Sequence, residues 1–170
     1  MSKVEIEPMR ACHLSEILRI EEEVFPAPWT RQMFEMEIRR GFGREELGSY
    51  ALVGTLSGDV IAYAIAWFLE DEVHLVNIAV DKAHQEHGIG SFLLNHLIDK
   101  ACDSGKIIVT LEVRESNKIA QAFYQRFMFQ TVGIRRGYYT DNREDAVLMV
   151  LDLGPHIERR KLDAKKTQSS

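Results

Sequence analysis

Gly88 and Gly90 stand between an apolar strand pattern, Leu75-Val-Asn-Ile-Ala-Val80, and an apolar helix pattern that follows them. Gln85-x-x-Gly88-x-Gly90 therefore reads as a strand-to-helix turn that lacks Cβ atoms where a ligand would touch the main chain. The N–H groups of the helix's first turn face outward there, with the positive end of the helix dipole. Such a turn can hold a diphosphate without a lysine. Its spacing excludes the two commonest nucleotide loops. There is no Gly-x-x-x-x-Gly-Lys-Ser/Thr, and the third glycine of a G-x-G-x-x-G fingerprint is absent. On these residues alone the turn reads equally as a tight connection with no ligand.

A second chemical segment follows, Lys106 to Phe129, which reads as strand, short turn and helix. Period-two alternation puts Glu112 on the face of Ile108, Thr110 and Arg114, opposite Ile107, Val109, Leu111 and Val113. A carboxylate in so apolar a strand needs a reason. One is an ion pair with Arg114 on the same face, and the other is proton transfer. Tyr124 falls at helical spacing, either as core or as a buried proton donor. His74 shares a strand face with Glu72 and is a second candidate base, or a histidine hydrogen-bonded in the sheet. Asn117 is placed to cap a helix. Phe25-Pro-Ala-Pro-Trp29 and Tyr138-Tyr139 are aromatic, turn-flanked segments suited to packing or to framing a substrate.

In chain order, Gln85-x-x-Gly88-x-Gly90, Leu111-Glu-Val-Arg-x-Ser-Asn117, Ala120, Phe123-Tyr124, Phe129, Arg135-Arg-x-Tyr138-Tyr139 and Glu144-Asp-Ala146 resemble the GCN5-related N-acetyltransferase superfamily. Within it they are most similar to the RimI-type N-terminal alanine acetyltransferases of ribosomal proteins. The similarity runs from Val4 to Leu153. It implies an α/β fold with a mixed sheet of about seven strands, splayed between the strand ending at Val80 and the strand ending at Val113, with acetyl-CoA in the gap. The pantetheine arm would then pair with main-chain groups of Ile78, Ala79 and Val80, as an added strand does. The diphosphate would fall on the turn Gln85, Glu86, His87, Gly88, Ile89, Gly90 and Ser91, and Asn117 would donate to the arm. The resemblance assigns Glu112 as base and Tyr124 as acid in acetyl transfer to an α-amine.

Three residues depart from the family pattern. Glu86 and His87 stand where RimI-like loops carry basic residues, so main-chain amides must carry anion binding. Met128 stands where glycine is usual before the last Phe, and either it tolerates a conformation that glycine accepts freely or the helix ends differently.

The chain has 170 residues and a net charge of −5, enough for one domain that buries its core without disulfides. Residues 1–153 read as the domain and 154–170 as a basic, flexible tail. That tail carries five Lys/Arg against Glu158 and Asp163, leaving a body with 16 basic and 24 acidic residues. An acidic body disfavours direct nucleic-acid binding and suits a cationic polypeptide. No apolar run reaches a membrane span of about 18 residues, and no signal-peptide pattern opens the sequence, so a cytoplasmic protein without membrane association is expected. Cys12 and Cys102 have no metal-ligand spacing and read as buried free thiols, with no metal in the reaction.

Helical spacing over Ala11–Phe25, stopped by Pro26 and Pro28, precedes a second helix capped by Thr30 and ended by Gly41-Phe-Gly43. A hairpin turns at Ser57-Gly58-Asp59, and Ala146–Leu153 reads as the last strand. The expected activity is acetyl transfer from acetyl-CoA to the N-terminal α-amine of a ribosomal protein beginning with alanine. The alternatives are acetylation of a lysine side chain or small amine, and a non-catalytic acyl-CoA-binding module, which Glu86 and His87 favour.

Overall fold

The computed structural model describes residues 3–41 and 48–168, with side chains through Lys165. The fold is α/β with a seven-stranded mixed, open sheet. Its residues group into two compact units, 1–69 with 74–97 and 70–73 with 98–170.

In the first unit the strands run in the order β1 (Glu5–Pro8), β2 (Gly48–Leu56), β3 (Asp59–Phe68) and β4 (Glu72–Val80). The β2–β3 hairpin pairs Leu56 with Asp59 across a two-residue loop. Ser57 and Gly58 both have positive φ, 55° and 94°, the type I′ geometry that matches strand twist. Helix α1 (Leu14–Val24) follows a 3₁₀ turn at Ala11–His13, where the sequence pattern suggested one continuous helix. Leu14, Ile17 and Ile20 recur at helical spacing and are buried against Val53, Tyr63 and Ile65. Fully burying each such side chain stabilises the fold by about 1.5–3 kcal/mol. Phe25 turns extended and ends α1 ahead of Pro26. Helix α2 (Arg31–Gly41) starts at Thr30, whose Oγ1 accepts the Met33 N–H at 3.4 Å, the cap read from sequence. The stop read at Gly41-Phe-Gly43 extends outside the described residues. Cys12 is exposed in the 3₁₀ turn and Cys102 is half-buried, so the burial expected for the two thiols is not met.

Helix α3 (Ile89–Asp103) follows β4. The second unit orders its strands β5 (Ile108–Arg114), β7 (Ala146–Asp152) and β6 (Gln130–Arg135), all antiparallel. Between β5 and β6 lies α4 (Lys118–Arg126). Its end is a Schellman closure: Met128 N–H donates to the Gln125 carbonyl at 2.9 Å and Phe129 N–H to the Tyr124 carbonyl at 3.2 Å. Met128 holds the left-handed position at φ 71°, the first of the two alternatives its place in the sequence left open. Phe129 thereby packs on Tyr124, ring centroids 5.6 Å apart. A left-handed conformation costs a non-glycine residue about 1–2 kcal/mol, while glycine loses about 0.4–1 kcal/mol more chain entropy on folding. Met128→Gly is therefore expected to raise unfolding stability by about 0.5–1 kcal/mol, read from the urea midpoint. A lowered midpoint at unchanged slope would contradict it.

Within the stretch read as the basic tail, Gly154–Gln168 form α5. Gly154 N–H donates to Asp152 Oδ1 at 2.8 Å, Pro155 fits the first turn, and Arg160 pairs with Asp103 at 2.7 Å and donates to the Asp99 carbonyl. Charge composition alone did not reveal these anchors.

Candidate active site

The strand-to-helix turn at residues 85–91 lies in the first unit. Asp81 caps a short 3₁₀ turn at Lys82–His84 by accepting the Ala83 N–H at 2.8 Å. Its carboxylate also takes Arg19 of α1 at 2.6 Å. Burial opposes ionisation of Asp81, but the Arg19 guanidinium and the Ala83 amide outweigh it and hold the pKa below the usual range. Gln85 Nε2 then donates to the Val80 carbonyl at 3.0 Å, tying the turn to the end of β4. His87 Nδ1 lies 2.7 Å from the Gln85 carbonyl oxygen, so both side chains hold the turn together from within. Glu86 is exposed and left-handed at φ 65°.

Gly88 adopts φ 79°, and a Cβ built there meets no protein atom within 4 Å. The glycine thus leaves open space on the outer side of the turn, which the fold itself does not fill. The first helical bond of α3 runs from Phe92 N–H to the Gly88 carbonyl at 2.9 Å. The N–H groups of Ile89, Gly90 and Ser91 therefore precede the helical ladder, as an anion site needs. These residues fit a diphosphate through main-chain amides. Gly88→Ala with Gly90→Ala is expected to weaken acetyl-CoA binding by more than about tenfold, because one displaced charge-assisted hydrogen bond is worth about 1.5–3 kcal/mol. Unchanged calorimetric affinity in the folded double variant would remove the turn from the site.

In β4, Val76 and Ala79 both pack on the core beneath α1, although they are an odd number of residues apart. Asn77 also turns toward α1, donating to Glu21 at 3.3 Å. Strict alternation is therefore interrupted just before Val80, where Ile78, Ala79 and Val80 were assigned to the pantetheine arm. Of these, the Val80 carbonyl is already engaged by Gln85. His74 lies with its ring 5.8 Å from that of Trp67. Trp67 in turn donates to Glu37 of α2 at 2.8 Å.

The second unit supplies the candidate acid and base. The Glu112 side chain is only 7% exposed, and Oε1 lies 3.3 Å from Arg135 Nε. Arg114, the partner considered from sequence, is turned elsewhere. It forms a bidentate pair with Asp141, both contacts at 2.9 Å, and reaches Glu144 at 3.1 Å and Asn142 at 3.2 Å. Its guanidinium also covers the Tyr139 ring, 3.9 Å from the centroid. Strand register explains the exchange. Glu112 lies opposite Leu148, which lies opposite Gly133, while Arg114 and Arg135 both lie opposite Ala146. These residues share one face, and the small side chain of Ala146 and the bare Gly133 leave Arg135 room to reach back across β7 to Glu112.

The Tyr138–Tyr139 segment lies against this face. The two rings meet edge-on at 5.2 Å, and Arg135 sits 5.8 Å from the Tyr138 centroid. Burial pushes Tyr139 up to about 12, with Tyr138 and Glu112 adding to the rise and Arg114 opposing it. Tyr124 is buried, and that burial, with the nearby Tyr139, pushes its phenol above the ordinary tyrosine range. It is thus a protonated donor at neutral pH. Glu144 is held down at about 2 by hydrogen bonds from Ser116, with Arg114 and Asn142 contributing. Asn117 caps α4 through Oδ1, which accepts the Ala120 N–H at 3.0 Å. The cap uses the oxygen and leaves the Nδ2 hydrogens for another acceptor, so capping and donation remain compatible.

The sequence reading named Arg135, Arg136, Glu144 and Asp145 only as motif residues. Here Arg136 and the Gly137 N–H both hold Asp145, at 2.6 and 2.8 Å, and these contacts fix the β6–β7 connection that carries the tyrosines. Among the described residues no cluster of three or more His, Cys, Asp or Glu is placed to hold a metal ion. No helix among them is long and apolar enough to cross a membrane.

The model of the acetyltransferase (GNAT) family matches residues 14–129. The chain is 36% identical over 150 residues to [ribosomal protein bS18]-alanine N-acetyltransferase of Escherichia coli (strain K12), covering 87% of this chain and 97% of that protein. It is 35% identical over 142 residues to the protein of the same name from Haemophilus ducreyi, covering 82% and 93%. The crystal structure of the ribosomal-protein-S18-alanine N-acetyltransferase from Escherichia coli superposes with a TM-score of 0.77 at 35% identity, covering 89% of this chain and 94% of that one.

Proposed function

The chain belongs to the acetyltransferase (GNAT) family and is an acetyl-CoA-dependent N-acetyltransferase, and on that premise we propose that its acceptor is the N-terminal α-amine of a ribosomal protein beginning with alanine. The observation that carries this reading is the Glu112 side chain, 7% exposed on the strand face whose Arg114 and Arg135 meet the Tyr139 and Tyr138 rings, with the Tyr124 phenol buried in the same unit. Similarity to proteins named as alanine N-acetyltransferases supports the choice of acceptor.

Acetyl-CoA supplies an activated thioester carbonyl. In this reading the turn from Gln85 to Ser91 holds its diphosphate through main-chain amides, and Ile78, Ala79 and Val80 with Asn117 take the pantetheine arm. The acceptor must be neutral to attack, and a free α-amine has a pKa near 7.7–8.0, so a modest base suffices. Glu112 takes the proton that the nitrogen sheds as the N–C bond forms, directly or through one water. Tyr124 gives its phenolic proton to sulfur as the C–S bond breaks and regains one from solvent. In this reading the connection Phe25–Trp29 frames the chain end, so an internal lysine, which needs a slot open at both ends, is excluded. The acidic body favours basic residues further along the peptide.

The test is the rate of thiol release from acetyl-CoA with three acceptors: an Ala-initiated basic peptide, the same peptide blocked at its α-nitrogen and carrying one lysine, and a polyamine. Release with the first alone is expected. Faster release with either of the others would replace the N-terminal reading, and no release with any acceptor would leave acyl-CoA binding as the activity.

A further inference from the structure

Glu21 lies fourth from the end of α1, in the run Glu21-Glu22-Glu23, yet it is 1% exposed while Glu22 and Glu23 face solvent. A buried carboxylate without partners is costly, and this one has three donors from three elements. Oε1 accepts the Trp29 main-chain N–H at 2.8 Å. Oε2 accepts the Tyr63 hydroxyl of β3 and, at 3.3 Å, Nδ2 of Asn77 on β4. Burial raises the Glu21 pKa, and these three hydrogen bonds oppose the rise.

The placement of Glu21 matters for what it spans. Its main-chain carbonyl accepts the Phe25 N–H at 3.0 Å, and its carboxylate accepts the Trp29 N–H. Both ends of the connection Phe25-Pro-Ala-Pro-Trp29 thus hang on one residue. Pro26 and Pro28 have no N–H, so the segment has few donors of its own for anchoring. Pro26, Ala27 and Pro28 are exposed. Trp29 is fixed beneath them, its ring 5.4 Å from Phe34, which meets Tyr63 edge-on at 5.5 Å. Tyr63 therefore closes the circuit, touching the aromatic stack through its ring and Glu21 through its hydroxyl.

We propose that Glu21 is a positioning residue that sets the shape of the Phe25–Trp29 connection, and through it the size limit on the first residue of the acceptor peptide. The proposal rests on the N-terminal reading above, in which that connection frames the chain end. Through Asn77 the same carboxylate ties the connection to the irregular stretch of β4, so loop and strand hold one relative position. Glu21 itself touches no substrate.

The experiment compares full-length wild type, Glu21→Ala and Glu21→Gln on peptides that differ only in an initial Ala or Leu, with KM for acetyl-CoA measured alongside. Glu21→Ala is expected to raise the Ala-peptide KM at least tenfold and to shrink the Ala-over-Leu preference at least tenfold, with KM for acetyl-CoA changed less than twofold. Glu21→Gln keeps an oxygen acceptor for the Trp29 N–H and is expected to retain the preference within threefold. Where Glu21→Ala does not fold, Glu21→Met with Tyr63→Phe removes both polar partners at similar volume and is expected to lose the preference in the same way. A folded variant with wild-type preference and peptide KM overturns the proposal, as does an equal loss for peptide and acetyl-CoA. A wild-type chain inert toward the Ala-initiated peptide overturns the N-terminal reading, and this proposal with it.

Discussion

Glu112→Gln is expected to lower turnover by about 10²–10³-fold at neutral pH, within the range that a positioned general base contributes. The amide keeps the shape of the carboxylate and its place on the face shared with Arg114 and Arg135 but cannot accept the proton. Only acceptor already deprotonated in solution then reacts, so the residual rate should climb tenfold per pH unit until the α-amine has titrated, near pH 8. The wild-type profile should be shallower over the same range. KM for acetyl-CoA should hold, since Glu112 belongs to the acceptor side. Full activity in Glu112→Gln together with its loss in His74→Ala would move the base to His74, whose ring lies tilted against that of Trp67.

Tyr124→Phe is expected to cost about 10–10²-fold in turnover with calorimetric acetyl-CoA affinity within twofold, the pattern of a group used only as charge develops on sulfur. Phenylalanine keeps the ring against Phe129 and Phe123 and therefore the Schellman closure of α4. The phenol's pKa is raised by burial and by Tyr139, so its proton is in place throughout the neutral range, and the wild-type rate should show no alkaline loss from this group below pH 10. A variant that loses affinity and turnover equally would mark Tyr124 as a packing residue.

Much of the fold was legible because the signals are local. Ser57-Gly58 dictates its hairpin turn, Thr30 its cap, and Met128 its left-handed φ, each through residues within a few positions. The strand-to-helix turn at Gly88 was legible for the same reason, since glycines ahead of an apolar helix describe their own backbone. Partnerships between distant strands were not. Glu112 was weighed against Arg114, its neighbour in sequence, whereas Arg135 reaches it from β6 only because β7 lies between β5 and β6 and presents Ala146 at the crossing. Glu21 was hidden in an acidic run whose other members are exposed, and only the packed position of α1 on β3 distinguishes it. The helix after β7 was not legible either, because the Asp152 and Asp103 contacts that hold its start and its Arg160 are not reported by charge composition.

The central claim is that the acceptor is a chain end, and one peptide carrying both a free N-terminal alanine and an internal lysine tests it. After limited turnover with acetyl-CoA, fragment masses assign the acetyl group to one nitrogen or the other. The account predicts acetyl on the alanine α-nitrogen, with the lysine unmodified at that stage of reaction. Acetyl on the lysine, with the α-nitrogen still free, would contradict it.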